Sequence, residues 1–182
     1  MAREASPSTG FRFVCYCKDC QTFARFLGRA DTLDAAGGTD IFQMAPARVK
    51  LTGGIEVIKC ISLSKKVLRW YANCCRSPIA NTAADPRFPI VALIHSFMDH
   101  ADHARDEALG LPLCRIYERS ATGPLPGNAP PPPSLRVFGR RAWKLLGWMV
   151  RGVNRPTPFF DDRTRAPRAV PHVLTESERA AP

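Results

Sequence analysis

Apolar and polar positions in residues 1–123 alternate in short runs, with turn-forming residues between them and little sustained helical period. Side chains on a strand point to opposite faces with a period of two, so runs of this kind predict half-buried strands. The strand candidates are 11–17, 41–44, 49–51, 55–63, 67–71, 90–94 and 113–118, punctuated by Ala45-Pro46, Gly53-Gly54 and Ser64-Lys65-Lys66. Two segments break the pattern. Over 21–27, Phe23, Phe26 and Leu27 share a helical face that Gly28 brings to an end, and the polar segment 102–109 is compatible with a second short helix. The expected fold class is mainly β, with small packed antiparallel sheets over 1–123.

The pattern changes after Gly123. Residues 124–133 hold six prolines in ten, a composition that favours extended polyproline backbone, and 124–134 is read as a linker. Beyond it, Leu135, Phe138, Ala142, Leu145, Leu146 and Met149 recur at helical spacing, with Arg136, Arg140, Arg141, Lys144 and Arg151 between them. The segment 135–182 is therefore expected to be a basic amphipathic helix followed by an irregular tail anchored by Pro158-Phe159-Phe160. Amphipathic helices of globular proteins usually bury their apolar stripe, so docking on the β domain is the favoured reading. Trp143 and Trp148 beside the cations suggest the other one, a weak peripheral membrane contact through 135–152.

Charge sharpens that division. The chain of 182 residues has a net charge of +10. Residues 1–123 carry 16 basic and 12 acidic side chains, and 124–182 carry 10 and 4, so the excess is densest in the tail. Such a balance can serve nucleic acid, an anionic surface or a small anionic substrate. No strand interleaves aromatic and basic residues, which argues against nucleic acid. Neither a signal-type apolar core near the start nor a run long enough to span a bilayer is apparent, and a soluble, cytoplasmic protein is expected.

The chemistry is concentrated in Cys15-Tyr16-Cys17-Lys18-Asp19-Cys20. In extended backbone Cys15 and Cys17 point the same way, and a turn through Lys18-Asp19 returns Cys20 toward them. Three soft thiolates converging on one point select zinc and leave a fourth position for water, substrate or another cysteine. Seven cysteines, an odd number, in a reducing compartment favour ligation over disulfides. A second feature, Cys74-Cys75-Arg76-Ser77-Pro78, follows a strand candidate, and either of its cysteines could complete the zinc shell.

The C-x-C-x-x-C element, followed some fifty residues later by a strand and Cys75-Arg76-Ser77-Pro78, resembles the glutathione-dependent formaldehyde-activating enzyme and centromere protein V family over 11–118. The resemblance implies a β-rich fold with a chemical zinc at Cys15, Cys17 and Cys20, and a separate structural zinc held by an N-terminal C-x-C and a later C-x-x-C-G-S-type knuckle. It also implies carbon-sulfur lyase chemistry, the reversible addition of glutathione to formaldehyde. Lys18 and Arg25 are then expected to attract the glutathione carboxylates. The sequence departs from the family at the structural zinc. No C-x-C precedes Phe11, Ala72 stands at the expected partner position of Cys75, and Arg76 replaces a glycine. Either the start has been assigned downstream of the true one, or this branch has lost the structural zinc.

The competing function is a zinc-stabilised interaction module. In it Cys74 or Cys75 closes a four-cysteine site and the basic tail meets a partner or a membrane surface. The constellation of His95, His100 and His103 with Asp99, Asp102 and Asp106 is read as a solvated polar face, since isolated His-x-x-His spacing lacks the rest of a ligand set. His95 alone is expected near the buried zinc region.

Overall fold

The computed structural model describes residues 5–64, 66–95 and 102–180. The chain is mainly β, and its strands belong to one eight-stranded sheet. In chain order the strands are β1 (Gly10–Cys15), β2 (Thr39–Met44), β3 (Ile58–Ser62), β4 (Val67–Ala72), β5 (Ser77–Ala83), β6 (Val91–Ile94), β7 (Arg115–Ile116) and β8 (His172–Val173). Their spatial order is β7-β1-β2-β6-β5-β4-β3-β8. The six inner strands pair antiparallel, while β7 and β8 add short parallel edges to β1 and β3. The helices are α1 (Lys18–Leu27), α2 (Asp102–Leu109), α3 (Leu135–Val150) and α4 (Glu176–Ala180).

Several segments predicted as strands are shorter or differently folded. Residues 55–57 form a single 3-10 turn before β3, and only two residues of 113–118 pair with β1. Residues 49–51 form no strand beyond an isolated bridge at Val49, directly after the 3-10 turn Pro46–Arg48.

The register separates two faces. Phe42, Leu93, Ala80, Leu68, Trp70 and Cys60 lie on one, where they form the main apolar core. The tail enters that core. Phe159 is fully buried, with its ring centroid 5.1 Å from that of Trp70, whose indole N–H donates to Thr82 Oγ1 at 2.9 Å. The proline stretch is likewise held against the sheet, since the Arg115 N–H donates to the Pro131 carbonyl.

The opposite face carries Phe13, Cys15, Ile41, Ile94, Arg69 and Tyr71, and α1 covers it. Cys20, Phe23, Ala24 and Leu27, spaced i, i+3, i+4, i+7, are the buried stripe of α1. Gly28 at φ 64° ends the helix. Its N–H bonds the Arg25 carbonyl, and the next N–H, of Arg29, bonds that of Ala24, a left-handed cap that a side chain would strain.

Close packing at the start of β1 gives a direct test. A Cβ at Gly10, the first residue of β1, would stand 2.0 Å from the Phe42 ring and 2.9 Å from the Gln43 carbonyl. Gly10→Ala should therefore lower stability by about 1–3 kcal/mol, read as a fall in the urea midpoint at unchanged slope.

Helix α3 is where packing departs most from expectation. The apolar stripe expected to dock faces outward: Leu135 is 90 % exposed, and Phe138, Leu146 and Met149 are each more than half exposed. The docked side instead carries Val137, Arg141, Lys144, Leu145 and Trp148. Its two cations are satisfied rather than excluded. Arg141 Nε donates to Gln43 Oε1 at 3.0 Å, and Lys144 Nζ to the carbonyls of Ser8 and Gly10 at 3.0 and 2.9 Å.

Candidate metal centre

Strand β1 delivers Cys15, and the chain turns at once into α1, so Cys17 stands at the helix N-cap and Cys20 in the first turn. The three Sγ atoms lie within 4.8 Å of one another. Cys15 and Cys20 are buried and Cys17 is half-buried, which leaves the cluster a solvent side beside Lys18. Positive backbone dipoles at the start of a helix favour thiolate there.

The sulfur spacing tests what the cluster can hold. Cys15 Sγ and Cys20 Sγ are 3.8 Å apart. With zinc–sulfur bonds of about 2.3 Å, the edge of a regular tetrahedron is about 3.8 Å, whereas a disulfide needs about 2.05 Å. The donor set and this spacing fit a thiolate-bound metal such as zinc. Without a cation, three such close thiols cannot all ionise. Hydrogen bonding from Cys15 and Cys20 holds Cys17 well below the usual thiol range, and Cys15 is pushed up by its bond to Cys17 and by burial.

A buried cation stands beside the sulfurs. Arg69, on β4, is 4 % exposed; its Nη1 lies 3.7 Å from Cys20 Sγ and 3.3 Å from Asn81 Oδ1, and its Nη2 3.4 Å from Asp19 Oδ2. The guanidinium also sits 5.9 Å from the Phe23 ring centroid. Burial opposes its charge, but the thiolates of Cys20 and Cys17 and the Asp19 carboxylate outweigh burial and raise its pKa. Three thiolates and a divalent cation would carry one net negative charge, and Arg69 is placed to offset it. Sequence reasoning missed this residue. Its signal is a lone charge inside the apolar run Val67-Leu68-Arg69-Trp70-Tyr71, and only the register carried from β4 through β5, β6 and β2 to β1 shows that it shares a face with Cys15.

The other predicted site residues are dispersed. Lys18 and Arg25 lie on the exposed side of α1, where Arg25 Nη2 donates to Thr22 Oγ1 at 3.1 Å. Cys74 and Cys75 are exposed in the β4–β5 turn and lie outside the cluster that could hold a metal among the described residues. Hydrogen bonding with Ser77 lowers the Cys75 thiol pKa. The turn is held by protein contacts. Arg76 takes φ 53°, a left-handed conformation that favours glycine. Its guanidinium donates to the Phe26 and Leu27 carbonyls at the end of α1 and sits 4.9 Å from the Phe26 ring centroid.

On the opposite face of β1, a polar cavity of about 640 Å³ is lined by Arg12, Tyr16, Asp34, Asp40 and His95. Arg12, 3 % exposed, donates to Asp40, to Asp106 and to the Gly110 carbonyl, tying β1 to β2 and α2. His95, expected near the zinc region, is instead half-buried in this cavity, away from the sulfurs, and burial lowers its pKa. Val14 and Tyr16, which line the cavity, alternate with Cys15 and Cys17, so the cavity and the sulfurs are on different sides of the strand. Asp99 and His100 lie outside the described residues, as do the side chains of Asp102 and His103.

The fold and the cluster together define a mainly β protein with a three-cysteine site at a strand-to-helix turn. By sequence the chain belongs to the family of unknown function DUF6151, whose profile matches residues 3–168. That span includes the cluster, Arg69, the proline stretch, α3 and Phe159-Phe160. No curated protein and no solved structure is significantly similar to the chain.

Proposed function

We propose that Cys15, Cys17 and Cys20 hold a zinc ion with an exchangeable fourth ligand, and that the protein is a carbon-sulfur lyase-like enzyme acting on thiol adducts of small aldehydes. The observation that carries the metal reading is the trio of sulfurs with a 3.8 Å edge beside buried Arg69. The reaction class comes from the resemblance to the formaldehyde-activating family over 11–118. An open position is favoured over the closed four-cysteine module because Cys74 and Cys75 lie outside the cluster.

In the synthetic direction the thiol sulfur bonds to the aldehyde carbon, the carbonyl π pair moves to oxygen, and that oxygen takes the proton released by the thiol. Glutathione and formaldehyde then give S-hydroxymethylglutathione, and the reverse breaks the same bond. Zinc, when bound, supplies a cationic centre that lowers the pKa of a substrate thiol. The chain supplies the rest. Cys15 and Cys20 fix two ligands in the core, and half-buried Cys17 opens the site toward solvent. Arg69 keeps the buried charge compensated, and exposed Lys18 and Arg25 draw the substrate carboxylates toward that opening.

Exchange between glutathione, formaldehyde and their adduct, followed by NMR, tests this. Catalytic amounts of zinc-loaded protein should accelerate exchange, and Cys17→Ser should not. Zinc-loaded protein that leaves the exchange rate unchanged would remove the lyase reading and leave the metal site standing.

A further inference from the structure

Helix α3 presents an apolar face that no described residue covers. On a helical projection Phe138, Met149, Leu135, Leu146, Val150 and Trp143 occupy one continuous arc of about 140° at 100° per residue, and every one of them is more than half exposed. Arg136, Arg140 and Arg151 flank the arc on one side and are also exposed. The opposite side of the helix is already docked on the sheet through Val137, Arg141, Lys144 and Trp148. Between α3 and the N-terminal turn, a groove of about 610 Å³ gathers Arg48, Arg140, Lys144 and Arg151 beside Trp143 and Val150.

We propose that this face is a peripheral docking surface for an anionic lipid bilayer, with α3 lying in the plane of the interface. Charge complementarity selects that occupant. Residues 119–160 contain seven basic side chains and no aspartate or glutamate, a composition that attracts anionic headgroups. Two copies joined through this face would instead set Arg136, Arg140 and Arg151 against one another with no carboxylate on α3 to separate them. The apolar arc supplies burial among acyl chains, and Trp143, 77 % exposed at the edge of the arc next to Arg136 and Arg140, suits the headgroup boundary. At 16 residues α3 is about 24 Å long, short of the roughly 30 Å hydrocarbon core. No helix among the described residues is long and apolar enough to cross a membrane. Contact is therefore along the surface.

Flotation of the full chain with vesicles tests the proposal, using phosphatidylcholine alone and phosphatidylcholine with one lipid in three replaced by phosphatidylserine. Binding is expected only with phosphatidylserine, at least tenfold weaker at about 1 M than at about 0.1 M salt. Arg136→Gln, Arg140→Gln and Arg151→Gln together should weaken it about a hundredfold. Trp143→Glu with Leu146→Glu should abolish it while circular dichroism stays native, since both positions face solvent. A blue shift of tryptophan emission on binding should vanish in Trp143→Phe. Three results would each overturn the proposal: no binding to either vesicle, equal binding to both, or a stable dimer in solution that Leu146→Glu dissociates.

Discussion

Cys17→Ser should reduce bound zinc from one per chain to nearly none and lower the melting temperature by roughly 10 °C. A ligand that binds only the folded state adds about 4 kcal/mol when present a thousandfold above its dissociation constant. For a chain of this size each kcal/mol is worth about 2–4 °C. Cys17 is the most accessible of the three sulfurs, so a serine there creates no cavity in the core and the loss reports the metal rather than packing. Native mass spectrometry and thermal denaturation, each with and without a chelator, separate the two. Wild-type protein treated with chelator should melt where the variant melts. Cys75→Ser, changed in an exposed turn outside the cluster, should keep one zinc and an unaltered melting temperature.

Arg69→Met should be the most damaging single change away from the cysteines. Removing one partner of a buried charge cluster leaves the other uncompensated and typically costs about 3–5 kcal/mol. Here the abandoned partners are the thiolates of Cys17 and Cys20 and the carboxylate of Asp19. Outer groups that orient or neutralise metal ligands typically change metal affinity by about 10–100-fold. Competition with a chromophoric chelator should therefore show zinc binding weakened by that factor, beside the stability loss read in urea. Arg69→Lys should recover part of the affinity, because it restores the charge. It should not recover all of it, because a single ammonium cannot reach Cys20, Asn81 and Asp19 from the planar spread that Arg69 uses. A methionine variant with wild-type zinc affinity would reduce Arg69 to a packing role.

These two residues also mark what the sequence discloses and what it withholds. The cysteine trio is legible because its convergence is local: six residues, one strand end and one helical turn determine it. The β class and α1 are legible for the same reason, since alternation and the stripe Phe23, Leu27 ahead of Gly28 are short-range signals. Arg69 reaches the site only through the register that runs from β4 across β5, β6 and β2 to β1 and the packing of α1 over that face, and no short-range pattern carries such register. The same holds for Phe159, which joins Trp70 across 89 positions of sequence.

Helix α3 misleads for a different reason. Its periodicity is correctly helical, but periodicity gives the angle between faces and not which one turns inward. Arg141 and Lys144 dock because Gln43 and the carbonyls of Ser8 and Gly10 meet their charges. Those partners lie some 100 or more residues away, so the more apolar face could be left outward with no sign of it in the local pattern. Lys18 and Arg25, expected to draw substrate carboxylates, lie exposed on α1, while the cation beside the sulfurs, which no local pattern marks, comes from another strand.

The central claim is a zinc ion with three protein thiolates and one exchangeable ligand. X-ray absorption at the zinc edge of the purified, zinc-loaded protein measures it without reference to activity. Three sulfurs at about 2.3 Å and one oxygen or nitrogen at about 2.0–2.2 Å are expected, the lighter atom giving way to a fourth sulfur when glutathione is added. Four sulfurs in the protein alone, or a shell without sulfur, would contradict it.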